Sequence, residues 1–77
     1  MAKENDFNYN FVTPHTIVVQ KNYGWKLEVN KVSWNGNKPK YDIRAWNNSH
    51  EKMSKGLSFT KEELLALRDT LNSMELE

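Results

Sequence analysis

Two tryptophans, Trp34 and Trp46, bracket Lys38, Lys40 and Arg44 in the segment SWNGNKPKYDIRAW that begins at Ser33. An indole face stacks on flat unsaturated rings, and an ammonium or guanidinium neutralises phosphate. Aromatic and cationic side chains on one sheet face can stack single-stranded bases and hold their backbone. The same set could equally form an aromatic hot spot for a protein partner. Other chemistry-bearing residues are few. The absence of cysteine removes disulfides and thiolate metal sites. A histidine-based metal site would have to recruit carboxylates to His15 or His50, and His50-Glu51 alone is a weak ligand set, so neither metal nor cofactor is expected. No GxSxG, phosphate-loop or HExxH spacing occurs, and Asp42 between Lys40 and Arg44 reads as a surface ion-pair partner. A non-catalytic protein without a small-molecule substrate is expected.

The elements that must position these residues can be read from periodicity. Residues 1–14 form an arm with isolated apolar points at Phe7, Tyr9 and Phe11 and no clear period, so it is expected to be irregular. Residues 15–75 then form a single domain. His15–Gln20 is short and β-branched, a strand, and a turn through Lys21–Gly24 follows. From Trp25 the pattern alternates, with Trp25, Leu27 and Val29 on one face and Lys26, Glu28 and Asn30 on the other. At Val32 and Trp34 the phase changes, which a β-bulge near Asn30–Lys31 or aromatic exposure on the polar face would explain. Asn35–Pro39 is turn chemistry, and Lys40–Asn47 is the next strand.

A five-residue loop sets Trp34 opposite Lys40 and pairs even positions with even. Trp25, Leu27, Val29, Tyr41, Ile43 and Ala45 then share a core face. Lys26, Asn30, Trp34, Lys40, Arg44 and Trp46 share an exposed one. After a polar loop at 47–54, Lys55–Phe59 reads as a fourth strand, with Gly56 marking a bulge or a close backbone approach. Thr60-Lys61-Glu62-Glu63 is a capping box, opening a helix to about Met74 with Leu64, Leu67, Leu71 and Met74 on one stripe. The order is β-β-β-β-α, an α+β fold with an antiparallel sheet. The final Leu76-Glu77 carries no weight in this reading.

Size and charge narrow the partners. A chain of 77 residues, 38% hydrophobic, buries only about 60% of its unfolded surface. Without disulfide or metal, self-association as a homodimer is the expected support. Net charge is +1, but its distribution is uneven. Between residues 21 and 56, Lys21, Lys26, Lys31, Lys38, Lys40, Arg44, Lys52 and Lys55 face only Glu28, Asp42 and Glu51, whereas the two ends are net acidic. Polyanions bind where such charge concentrates. No apolar run approaches the ~18 residues of a membrane span and no signal-peptide apolar region follows Met1, so a cytoplasmic protein without membrane contact is expected.

Val32-Ser33-Trp34-Asn35, Pro39-Lys40-Tyr41-Asp42-Ile43-Arg44, Trp46, His50-Glu51-Lys52-Met53 and Lys55-Gly56, followed by the capped helix, closely resemble the small bacterial YdbC-type proteins. Those belong to the fold family of the transcriptional coactivator positive cofactor four. The likeness spans roughly residues 15–72. It implies a curved β-β-β-β-α protomer that dimerises through its helix and sheet edge and binds single-stranded DNA with little sequence preference. RNA is admitted too, since stacking does not distinguish the sugar. In that reading Trp34 corresponds to a base-stacking aromatic and Arg44 to a basic sheet residue, while Lys26, Lys40 and Lys55 lie in the basic channel. Together with the charge and face arguments, the expected nucleic-acid-binding set is Lys21, Lys26, Asn30, Trp34, Lys40, Arg44, Trp46, Lys52 and Lys55. The long Ser- and Lys-rich N-terminal region of the eukaryotic coactivator has no counterpart in this sequence.

Overall fold

The computed structural model describes residues 7–77. Its elements run β1 (Tyr9–Phe11), β2 (Thr16–Gln20), a short 3-10 turn (Asn22–Gly24), β3 (Lys26–Trp34), β4 (Lys40–Trp46), β5 (Leu57–Phe59) and α1 (Lys61–Ser73). One antiparallel sheet holds all five strands, and the single helix closes the chain. The helix and four of the strands stand where periodicity places them. The fifth, β1, lies in the arm expected to be irregular.

The β3–β4 hairpin is the spine. Asn35 and Gly36 both take positive φ, and the Asn37 amide donates to the Trp34 carbonyl at 2.8 Å, so the tight turn uses two residues that tolerate left-handed backbone. Lys38 and Pro39 then put one extra residue on the β4 side, and the ladder resumes with Val32 opposite Lys40. Even positions pair with even as expected, but Trp34 does not oppose Lys40. The register is displaced by two residues because the turn closes at Asn37 and Pro39 has no N–H to donate.

β3 also runs unbroken from Lys26 to Trp34, with no bulge at Asn30–Lys31. The irregularity lies in β2, between Ile17 and Val19. The phase change at Val32 has another cause, in that both faces of the sheet are used. β1 and β2 share one edge of β3, Tyr9 opposite Trp34 and Phe11 opposite Val32 at one end, Thr16 opposite Val29 at the other. The side chains of Tyr9 and Phe11 extend the even-numbered face into an aromatic cluster, and Val32 and Trp46 are fully buried within it.

The odd-numbered face meets α1. Thr60 caps that helix as expected, its hydroxyl accepting from the Glu63 amide at 3.1 Å while its own amide donates to the Glu63 carboxylate at 2.9 Å. Such a cap contributes about 1 kcal/mol. Coverage of this face is nonetheless thin. No residue of α1 is buried, and Val29, Ile43, Leu64, Leu65, Leu67 and Leu71 line an open groove of about 450 Å³. Trp25, expected in the core, is only half-buried.

Candidate nucleic-acid interface

The even-numbered face is built around charges that β3 and β4 bury side by side. Asp42 is completely buried and is met by Arg44 two residues along the same strand, Nε donating to Oδ1 and Nη2 to Oδ2, each at 2.7 Å. Ser58 on β5 adds a third hydrogen bond to this carboxylate at 3.0 Å. The guanidinium also lies 4.7 Å from the Trp34 ring centroid, a cation–π contact, and Nη1 reaches Met53 Sδ at 3.2 Å. Gly56 passes directly behind Arg44, where a Cβ would run into the Arg44 Cβ and the Ile43 carbonyl. The expected close backbone approach at Gly56 is therefore present.

A second buried carboxylate, Glu28, sits further along β3. His50 Nε2 lies 3.0 Å from both of its oxygens, and the Asn30 amide donates to Oε1 at 2.9 Å. His15 Nδ1 donates to Asn30 Oδ1 at 2.9 Å and stands 3.4 Å from Glu28 Oε1. The two imidazoles stack face to face, centroids 3.9 Å apart and 8° from parallel. His15, Glu28 and His50 each present a ligand atom within 4.8 Å of the others, a constellation the sequence reading kept apart.

Around these charges lie the rings. Trp34 and Trp46 stack at 6.4 Å and 15°, Phe7 stacks on Trp34 at 6.0 Å, and Tyr9 and Phe11 pack against Trp46 at 5.3 and 5.0 Å. The Tyr9 hydroxyl donates to the His50 carbonyl at 2.6 Å, tying β1 to the 47–54 loop over the indole. The indole N–H groups of Trp34 and Trp46 are buried and find no acceptor among the described residues.

The nine expected contact residues are therefore divided. Lys21, Lys40, Lys52 and Lys55 are exposed, Lys26 is half-exposed and donates to Asn48 at 2.8 Å, and Trp34 is half-buried at the rim of the cluster. Three differ from expectation. Trp46 is fully buried, because β1 and His50 close over it, so no exposed Trp34–Trp46 face exists for bases or for a protein partner. Asn30 is buried within the Glu28 network. Arg44 is paired with the buried Asp42, whose burial demands a cation, and its side chain is only 15% exposed.

Sequence reasoning also passed over Tyr23. Its φ of 59° and 97% exposure leave a phenol ring standing free at the tip of the β2–β3 connection, beside Lys21 and Trp25. The turn residues Lys21–Gly24 signalled the bend, but nothing in them signalled a bare aromatic. Lys31, Lys38, Lys40 and Lys61 also gather around a cleft between the β3–β4 turn and the start of α1.

The family model described as "Transcriptional Coactivator p15 (PC4)" matches residues 21–70, a stretch that holds all nine expected contact residues. An uncharacterized protein of Treponema pallidum (strain Nichols) is 45% identical over 73 residues, covering 95% of this chain and 86% of the relative.

Proposed function

Starting from the chain's membership of the transcriptional coactivator p15 (PC4) family, a family of single-stranded DNA-binding proteins, we propose that it is a cytoplasmic, homodimeric, non-catalytic protein that binds single-stranded DNA with little sequence preference. The family match over 21–70 carries this reading, because that stretch holds the exposed Lys21, Lys40, Lys52 and Lys55 together with the rim aromatics. In this mechanism the lysines contact phosphates. Trp34, stacked on Trp46 and Phe7 and flanked by the Arg44 guanidinium, presents the part of its ring left exposed at the rim to a base. Tyr23, fully solvated beside Lys21, is a second stacking post. Arg44 acts indirectly, holding Trp34 rather than a phosphate. The service is that of a transcription or DNA-processing accessory factor.

The dimer belongs to the same proposal. The Leu64–Leu67–Leu71 stripe and the apolar groove beneath it, with Val29 and Ile43, are surfaces for the equivalent helix of a second copy. No helix of the described residues is long and apolar enough to cross a membrane.

The experiment is a titration of tryptophan fluorescence with oligo-dT and with a matched duplex, at low and high salt. Quenching by the single strand that weakens as salt rises is expected. No quenching at low salt removes the reading, and equal affinity for duplex removes the stacking mechanism while leaving the basic surface.

A further inference from the structure

The geometry points to a site for a divalent transition-metal ion of the zinc class at His15, Glu28 and His50, closing the β1–β2 connection, the sheet and the 47–54 loop onto one centre. Two imidazoles and one carboxylate are the three-ligand set with which zinc keeps a fourth position for water. Imidazole with carboxylate and no thiolate selects borderline divalent ions over calcium or magnesium, which favour all-oxygen shells. The three residues come from three separate segments. His15 lies in the β1–β2 connection, Glu28 in the middle of β3, and His50 in the loop after β4.

The hydrogen bonds already present do not account for the whole arrangement. His50 Nε2 alone reaches both oxygens of Glu28, its one N–H shared between them, and the Asn30 amide is a second donor, so each carboxylate oxygen has a donor without His15. A second imidazole is nevertheless stacked on the first, its Nδ1 bonded to Asn30 Oδ1 and 3.4 Å from the same carboxylate. Glu28 is 1% exposed, so an ion there would be held by a ligand fixed on the central strand. His50 takes a left-handed φ of 61°, which only a minority of non-glycine residues adopt, and its ring reaches the buried Glu28.

Metal entry requires a defined rearrangement. Ligand atoms now lie within 4.8 Å of one another, whereas a tetrahedral ion with bonds of about 2.0–2.1 Å draws its donors to roughly 3.4 Å apart. Lone pairs of parallel rings do not converge, so one ring must turn. His15 is the one able to do so, its side chain 35% exposed against 19% for His50. As it turns, His15 Nδ1 leaves Asn30 Oδ1, and each imidazole gives up or relocates the proton on the nitrogen that binds. The ion then does what the stack does weakly, pinning the β1–β2 connection to β3 and the loop.

The test is calorimetric titration of the full chain with zinc chloride in chelator-free buffer at neutral pH, with histidine side-chain NMR on the same samples. One saturable site per chain is expected, with the imidazole nitrogen signals of both His15 and His50 moving. Binding should weaken at least tenfold in His15→Ala and in His50→Asn, the second chosen because asparagine tolerates the left-handed backbone. His15→Ala removes a partly exposed side chain, so an unchanged melting temperature in metal-free buffer separates ligand loss from unfolding. Absence of saturable binding overturns the assignment. So does zinc binding of parental strength in both variants, which would place the ion on surface carboxylates. Neither outcome bears on DNA binding, which the oligo-dT titration tests separately.

Discussion

Trp34 and Trp46 stack on each other, yet their loss should be felt in different places. Trp34→Ala removes a rim ring and is expected to weaken oligo-dT binding by about 1–3 kcal/mol in a fluorescence or calorimetric titration. Trp46→Ala empties the centre of the aromatic cluster and should lower folding stability by about 3–5 kcal/mol in urea denaturation. Arg44→Ala leaves the completely buried Asp42 without its cation. It should cost about 3–5 kcal/mol of stability while leaving the salt dependence of DNA binding nearly unchanged. A stable Arg44→Ala protein with a clearly reduced salt slope would mean that Arg44 touches phosphate after all. At this scale the sequence was only partly legible. Lysines declare themselves by being hard to bury, and Lys21, Lys40, Lys52 and Lys55 are all exposed. Glu28, Asn30 and Asp42 looked equally solvent-bound and are buried, because partners 2 to 22 residues away satisfy them. No local pattern announces such a partner.

Elements that depend on neighbours in sequence were readable, and those that depend on distant ones were not. The capping box, the helix stripe and the Asn35-Gly36 turn are short-range devices, and each appears where its residues stand. Thr60→Ala should therefore lower stability by about 1 kcal/mol, read as a shifted denaturation midpoint. The three-residue strand β1 has no period to detect. It exists because Val32–Trp34 offers a free edge, with the Val12 and Asn35 amides donating to Lys31 and Asn8 at its two ends. That missing strand explains the misread phase of β3. Val32 and Trp34 seemed to break an alternation, whereas they answer Phe11 and Tyr9. Gly56→Ala tests the packing of β5 against β4. A Cβ there must displace Arg44 or the Ile43 carbonyl, and a loss of about 1–3 kcal/mol is expected by thermal or chemical denaturation.

The molecule as a whole is longer than its chain length requires. Its radius of gyration is 14.3 Å, against about 11.5 Å for a compact domain of 77 residues. Ile17, Val18 and Val19 of β2, Leu57 of β5, and Leu65 and Leu71 of α1 are all exposed. A thin protomer with this much apolar surface fits the proposed pairing through α1. Leu67→Asp, which places a charge in the groove, should convert a dimer mass to a monomer mass in sedimentation and lower the melting temperature. Leu67→Asp sedimenting with the parent's mass would move the dimer contact elsewhere. The salt response belongs to this scale as well. Four lysines, Lys21, Lys40, Lys52 and Lys55, each neutralising one phosphate, predict a slope of log affinity against log salt of about −2.8 per protomer. The closeness of Trp34 and Trp46, centroids 6.4 Å apart, also makes the folded state optically distinctive. Two identical chromophores held this closely share their excited states, so the far-ultraviolet circular dichroism should carry a split indole band that Trp46→Phe abolishes. Because β1 and the 47–54 loop hold the two rings in place, the size of that splitting reports whether the arm is seated. It can be followed while zinc is added, without any label.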